Sequence, residues 1–170
     1  MKILTTGGVG YIGSHTVIAL LEAGHEVVIL DNLANASRKV LARLEQITGR
    51  SVAFVEGDVR DRKMLQHVFA EHDFDAVIHF AGLKAVGESV ALPLKYYDNN
   101  VTGSLVLMEE MAKAGVFQLV FSSSATVYGD PEVVPLTESS PAGNTSNPYG
   151  TSKYMVECMM RDVAATDARW

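Results

Sequence analysis

Cysteine is nearly absent from these 170 residues: Cys158 stands alone, which excludes a disulfide framework and a cysteine-based metal centre. In its apolar stretch it reads as a small core residue. Basic charge is scarce as well. Against 20 Asp and Glu there are 14 Lys and Arg, a net charge of −6 with pI near 5.3, and no basic run occurs, so no nucleic-acid partner is expected. The five histidines, His15, His25, His67, His72 and His79, show no metal-ligand spacing. His79, inside an apolar run, reads as a satisfied core histidine. No uncharged apolar stretch approaches the length of a membrane span. The chain opens with one Lys and a four-residue run before a glycine-rich turn, too short for an apolar h-region, so neither a signal peptide nor a membrane partner is expected. These absences lead to the expectation of a reducing compartment, the cytoplasm.

What is present is alternation. With 48% hydrophobic residues, the chain has the size and composition of one globular domain with a substantial core. Short runs rich in β-branched residues fall at 2–6, 26–31, 51–56, 75–80 and 117–123; continuous apolar strands of this kind suit a parallel sheet covered on both faces. Amphipathic stretches lie at 11–23, 38–48, 61–71 and 94–114. Gly24, Gly49 and Gly115 each follow a helical stretch, where a left-handed cap belongs. The alternation predicts an α/β fold with a doubly wound parallel sheet of the Rossmann type and right-handed crossovers. A loop rich in Pro, Ser, Thr and Gly at 129–148 leads to a last helix near 149–165. No closing strand follows, so the domain spanning 1–170 reads as cut before its last strands.

Thr6-Gly7-Gly8-Val9-Gly10-Tyr11-Ile12-Gly13 lies between the first strand and the first helix. Glycines there let the chain bend sharply and let a pyrophosphate approach bare amides at a helix N-terminus, where the dipole favours negative charge. Two registers fit, Gly8, Gly10, Gly13 and Gly7, Gly10, Gly13. Asp31 ends the second strand about 18 residues on, where a carboxylate accepts from an adenosine ribose and repels a 2′-phosphate, favouring NAD over NADP. The competing reading makes it the opening of the Asp31-Asn32-Leu33 turn. Asp58, after the third strand, either reaches an adenine edge or caps the helix starting near Asp61.

Tyr149 and Lys153 stand four residues apart, on one face if helical. A phenol with a pKa near 10 is a poor base at neutral pH, and a fixed cation beside it stabilises the phenolate. Ser122-Ser123-Ser124 lies at the end of the fifth strand, on the side where ligands sit in such sheets; a serine cluster also satisfies its own backbone. Phe80-Ala81-Gly82 ends the fourth strand and brings backbone to the same crevice, with Lys84 and Asn99 as polar residues facing it.

These segments resemble the extended short-chain dehydrogenase/reductase superfamily and, within it, the UDP-glucose 4-epimerase family. The resemblance runs the length of the chain, and the blocks at 80–89 and 122–129 carry it more specifically than the glycine turn or Tyr-x-x-x-Lys. Nucleotide-sugar dehydratases of the superfamily place an acid/base pair after the strand-five hydroxyl; this chain has Ala125-Thr126, which disfavours elimination of water. The resemblance implies a tightly held NAD and reversible hydride transfer at sugar C4, interconverting UDP-glucose and UDP-galactose in galactose metabolism. Tyr149 would take the 4-OH proton, Lys153 would lower its pKa and hold the nicotinamide ribose, and Ser124 would hydrogen-bond the sugar oxygen. Gly7, Gly10, Tyr11, Ile12 and Gly13 would hold the pyrophosphate, with Asp31, Asn32, Leu33, Asn35, Asp58 and Val59 around the adenosine. Phe80, Ala81, Gly82, Lys84, Asn99 and Ser122 would complete the cofactor site, and Lys84, Ser124 and Tyr149 would touch the UDP-hexose.

Members of the family run to roughly twice this length, so the chain reads as an N-terminal fragment lacking most of the sugar site, expected to be inactive alone. Homodimerisation through the helices at 94–114 and 149–165 is implied too. Two other readings compete: a 4-epimerase of UDP-N-acetylglucosamine or UDP-glucuronate, and a non-catalytic NAD-binding module.

Overall fold

The β-branched runs pair side by side as five parallel strands: β1 (Lys2–Thr6), β2 (Glu26–Asp31), β3 (Ala53–Glu56), β4 (Ala76–His79) and β5 (Leu119–Phe121), in spatial order β3-β2-β1-β4-β5. The computed structural model describes residues 1–170. Helices α1 (Tyr11–Glu22), α2 (Lys39–Thr48) and α3 (Arg62–Glu71) supply the first three crossovers, as parallel neighbours require. The strand order reverses at β1, which pairs with β2 on one side and β4 on the other, placing Thr6 level with both Leu30 and His79. A reversal of this kind marks the ligand crevice of an open α/β sheet.

Two compact units divide the chain. The first comprises residues 1–81, 106–122 and 169–170 and contains the whole sheet. Alternation along β2 sends Val28 and Leu30 into a core with Leu4, Leu65, Phe69, Val77, Leu107 and Met111. It sends Val27 and Ile29 into another with Val9, Val17, Leu21 and Leu44. Both faces of the sheet are thus covered, as continuous apolar strands demand, and each fully buried leucine contributes about 2 kcal/mol.

The second unit comprises 82–105 and 123–168. It holds α4 (Val86–Ala91), α5 (Pro93–Tyr96), a π-helical segment (Tyr97–Thr102), the start of α6 (Gly103–Ala114), a 3₁₀ turn (Ala125–Tyr128) and α7 (Pro148–Thr166). The doubly wound reading stands, with corrected boundaries. The strands expected at 51–56, 75–80 and 117–123 are shorter. The helix expected at 94–114 starts at Pro93 and is interrupted by the π-helical segment. Helix α4 was not anticipated, because six residues give too short a period to read. The three expected left-handed caps are present, with φ of 83° at Gly24, 66° at Gly49 and 76° at Gly115.

A Cβ at Gly13 would stand 2.3 Å from the Gly7 carbonyl oxygen and 2.8 Å from Gly8 Cα, both backbone, whereas one at Gly49 meets nothing within 4 Å. Gly49→Ala therefore carries only the left-handed penalty of about 1 kcal/mol. Gly13→Ala must displace the turn and should lower the unfolding free energy by about 3 kcal/mol or more. Urea denaturation of the two variants checks this; equal losses would show that the turn yields without strain.

Candidate active site residues in the two units

In the first unit β1 runs into a turn that only glycine fits. Gly7 has φ of 70°, and a Cβ on it would lie 2.6 Å from Ala81 N and 2.8 Å from Phe80 C, so the turn rests on the peptide that ends β4. The Gly7 amide donates to Leu30 O at 2.8 Å, Gly10 N to Gly7 O at 3.1 Å and Ser14 N to Gly10 O at 2.9 Å, the last opening α1. The backbone-to-backbone approaches at Gly7 and Gly13 settle the register as Gly7, Gly10, Gly13; Gly8 approaches mainly the Ile29 side chain. Gly10 caps α1 without a side chain, and no acidic residue occupies the first turn. The amides of Tyr11, Ile12 and Gly13 therefore open α1 without competition from a carboxylate, which suits an anion.

Asp31 is buried at the end of β2. One carboxylate oxygen accepts from Val9 N at 3.1 Å and the other from Leu33 N at 2.9 Å. The local-turn reading is thus correct as far as it goes, and the same carboxylate also braces the glycine turn. Two of its roughly four lone-pair sites remain for a further donor. Leu33 takes a left-handed φ of 57°, uncommon for a bulky residue. Asn32 Nδ2 donates to Asp58 at 3.0 Å and its Oδ1 accepts from Ala34 N, while Asn35 is exposed.

Asp58 does not cap α3: Asp61 does, accepting from Met64 N at 3.1 Å. The Asp58 carboxylate instead accepts from Arg60 N, Nε and Nη2 at 2.9, 2.9 and 2.7 Å. Arg60, with Asn32 assisting, holds it well below the usual carboxylate range. Val59 is buried. His79 is the core histidine expected, its Nδ1 2.6 Å from Thr6 Oγ1. Ser122 continues the ladder beyond β5 through its amide to His79 O at 3.1 Å.

In the second unit Asn147 caps α7, accepting from Gly150 N at 2.9 Å, and Pro148 occupies the first turn. Tyr149 and Lys153 do lie one turn apart on this helix. The Tyr149 ring meets Tyr96 edge-on, centroids 6.5 Å apart. Tyr96 is fully buried; its hydroxyl lies 2.8 Å from both Ala85 O and a Glu88 carboxylate oxygen, the two acceptors open to its one proton, and burial raises its pKa to about 12. Asn100 binds the loop before α4 to α7. Its amide donates to Leu83 O and Ser152 Oγ and accepts from Leu83 N and Asn99 Nδ2, at 2.8–3.0 Å. Ser152 Oγ in turn donates to Tyr149 O at 2.7 Å.

Lys153 is 5% exposed, and a Cβ on Gly82 would lie 3.4 Å from its Nζ. Lys84 is exposed. Ser124 Oγ caps the 3₁₀ turn, and Ser123 Oγ donates to Glu157. Sequence reasoning missed Tyr96, Asn100, Thr126, Ser152 and Glu157. The available signals were the Tyr149, Lys153, Glu157 spacing along one helix face and paired asparagines, poor helix formers, inside a helical run.

A doubly wound parallel sheet with a glycine turn at its switch point, followed by Tyr-x-x-x-Lys on a helix, is the pattern of the short-chain dehydrogenase/reductase class. The chain belongs to the NAD dependent epimerase/dehydratase family, whose model matches residues 3–169. It is 65% identical over 169 residues to a UDP-glucose 4-epimerase of Neisseria meningitidis serogroup B, covering 99% of this chain and 50% of that protein. The Bacillus subtilis UDP-glucose 4-epimerase is 58% identical over 170 residues, again across 50% of that protein. Among solved structures, the UDP-glucose 4-epimerase of Bifidobacterium longum in complex with NAD+ and UDP superposes with a TM-score of 0.97 at 54% identity, over 98% of this chain and 50% of that one. The chain thus spans about half the length of the relatives it matches. No cluster of His, Cys, Asp and Glu suits a metal, and no helix is long and apolar enough to cross a membrane.

Desolvation pushes the Lys153 ammonium down from 10.5 to about 8. Between those values the unfolded chain keeps a proton that the folded chain has released, so residue 153 adds stability as pH rises through that window. The whole difference is worth roughly 3 kcal/mol. Urea denaturation from pH 7.5 to 10.5 should show the parent gaining stability relative to Lys153→Met; parallel profiles would show that burial does not depress this group.

Proposed function

We propose that this chain is the cofactor-holding, proton-transferring half of a UDP-glucose 4-epimerase, and that residues 1–170 form one incomplete dinucleotide-binding domain. The observation that carries the reading is the 65% identity with the Neisseria meningitidis enzyme along 169 residues. The Bifidobacterium longum structure containing NAD+ and UDP agrees with it.

The chain's own geometry fits NAD. A tight turn held by glycine at positions 7 and 13, where a Cβ would strike backbone, leads into an α1 N-terminus with no side-chain cap, which suits a pyrophosphate. The remaining acceptor sites of Asp31 suit a ribose diol, and its charge opposes a 2′-phosphate. Asn32, Leu33, Asn35, Asp58 and Val59 would surround the adenosine. Phe80, Ala81, Gly82, Lys84, Asn99 and Ser122 would contact the rest of the cofactor, with Lys153 on the nicotinamide ribose. When bound, NAD supplies the acceptor that takes hydride from sugar C4 and returns it to the opposite face.

The protein's part is proton management and placement. Tyr149 removes the 4-OH proton, and Ser124 hydrogen-bonds that oxygen as its charge grows. Lys153, protonated below about pH 8, sets a cation one helical turn from Tyr149 and stabilises the phenolate. Ala125-Thr126 supplies no carboxyl groups for loss of water, in keeping with epimerisation. We place the reaction in galactose metabolism in the cytoplasm, with a homodimer formed through helices at 94–114 and 149–165; Leu94, Leu105 and Met155 expose apolar surface there. Turnover of UDP-N-acetylglucosamine is the second reading, favoured by 40% identity and a TM-score of 0.93 to the UDP-Glc/GlcNAc 4-epimerase of Campylobacter jejuni.

The product of the complete open reading frame should interconvert UDP-glucose and UDP-galactose without added NAD, and Tyr149→Phe should lower kcat by about a thousandfold. A Phe variant as fast as the parent would refute the mechanism. Asp31→Asn should weaken NAD binding about tenfold and narrow the preference over NADP, read by fluorescence titration with each dinucleotide; an unchanged ratio would remove Asp31 from the ribose site.

A further inference from the structure

Ser124 sits in extended backbone, φ −150° and ψ 146°, at the start of the 3₁₀ turn. Its Oγ accepts from Thr126 N at 3.2 Å and from Thr126 Oγ1 at 2.9 Å. A serine hydroxyl has two acceptor lone pairs and one proton. With both lone pairs engaged by one neighbour, what Ser124 has to offer a third group is its proton.

We propose that Thr126 is a positioning residue that fixes Ser124 as a hydrogen-bond donor toward the substrate oxygen, an inference that rests on the epimerase reading above. Thr126 is itself held in place. A Cβ on buried Gly150, the residue after Tyr149, would lie 2.8 Å from Thr126 O and 3.2 Å from its Cβ and Oγ1. The 3₁₀ turn and the first turn of α7 are therefore in direct contact through Thr126, and the contact tolerates no side chain at residue 150.

The direction of the Ser124 bond has a chemical consequence. As a 4-OH loses its proton to a base, negative charge grows on that oxygen, and a donor already aimed at it stabilises the charge without reorienting. A hydroxyl that accepts two bonds is polarised into a better donor. Without the Thr126 hydroxyl, Ser124 Oγ keeps one backbone donor and regains a rotor that can turn its proton away.

The test uses the product of the complete open reading frame. Thr126→Val keeps the branched shape and removes the hydroxyl; kcat should fall about tenfold, the cost of one orienting hydrogen bond, with KM within about twofold and an unchanged melting temperature. Thr126→Ser should restore kcat. In the Ser124→Ala background, Thr126→Val should cost nothing more, because its effect passes through Ser124. If Thr126→Val melts early, the same cycle is run with Thr126→Ala. Parental kcat in the variant, or an equal loss in the Ser124→Ala background, overturns the inference and leaves the epimerase reading standing. Full turnover by both Ser124→Ala and Tyr149→Phe overturns that reading and this inference with it.

Discussion

Gly7 passes so close to the peptide between Phe80 and Ala81 that no side chain fits between them, and the first unit is arranged around that approach. Parallel pairing of β1 with both β2 and β4 brings Leu30 and His79 level with Thr6, leaving the chain nowhere to go but sharply back. The Gly7 amide bonds to Leu30 O, and α1 begins four residues later. Asp31 then grips the far side of the turn through Val9 N. The end of the central strand, a helix N-terminus and a carboxylate are set by one steric condition, so the turn is formed by the chain's own packing.

The second unit relies on a polar counterpart to that contact. Asn100, 3% exposed, spends its whole amide on Leu83, Asn99 and Ser152. A buried amide with every group satisfied specifies one arrangement, because any other leaves donors or acceptors unpaired. The π-helical segment that carries it supplies the local change of pitch, a feature often found at functional sites. Through Ser152 the arrangement reaches the carbonyl of Tyr149.

Lys153 shows the cost of such a site. Burial lowers its affinity for a proton, so the residue that would support the phenolate works against the stability of the fold at neutral pH. Under the proposed role, stability and function would pull in opposite directions there, as is common where chemistry needs a charge inside.

The order of strands and helices, the glycine turn, Asp31 and the Tyr149–Lys153 spacing were legible in the sequence, because each is a local pattern: an apolar run, a run of glycines, a helical repeat. The caps at Gly24, Gly49 and Gly115 were legible for the same reason. Three things were not. The register of the glycines was decided by the approach of residues 80 and 81, more than seventy positions away. The role of Asp58 was decided by Arg60 and Asn32, which fold onto it and leave Asp61 to cap α3. The hydrogen bonds of Asn100 to Leu83 and Ser152 join residues whose partners are chosen by packing. Local periodicity determined which elements form; only the tertiary structure decided which polar groups meet, because a hydrogen bond depends on distances between atoms that sequence spacing does not set.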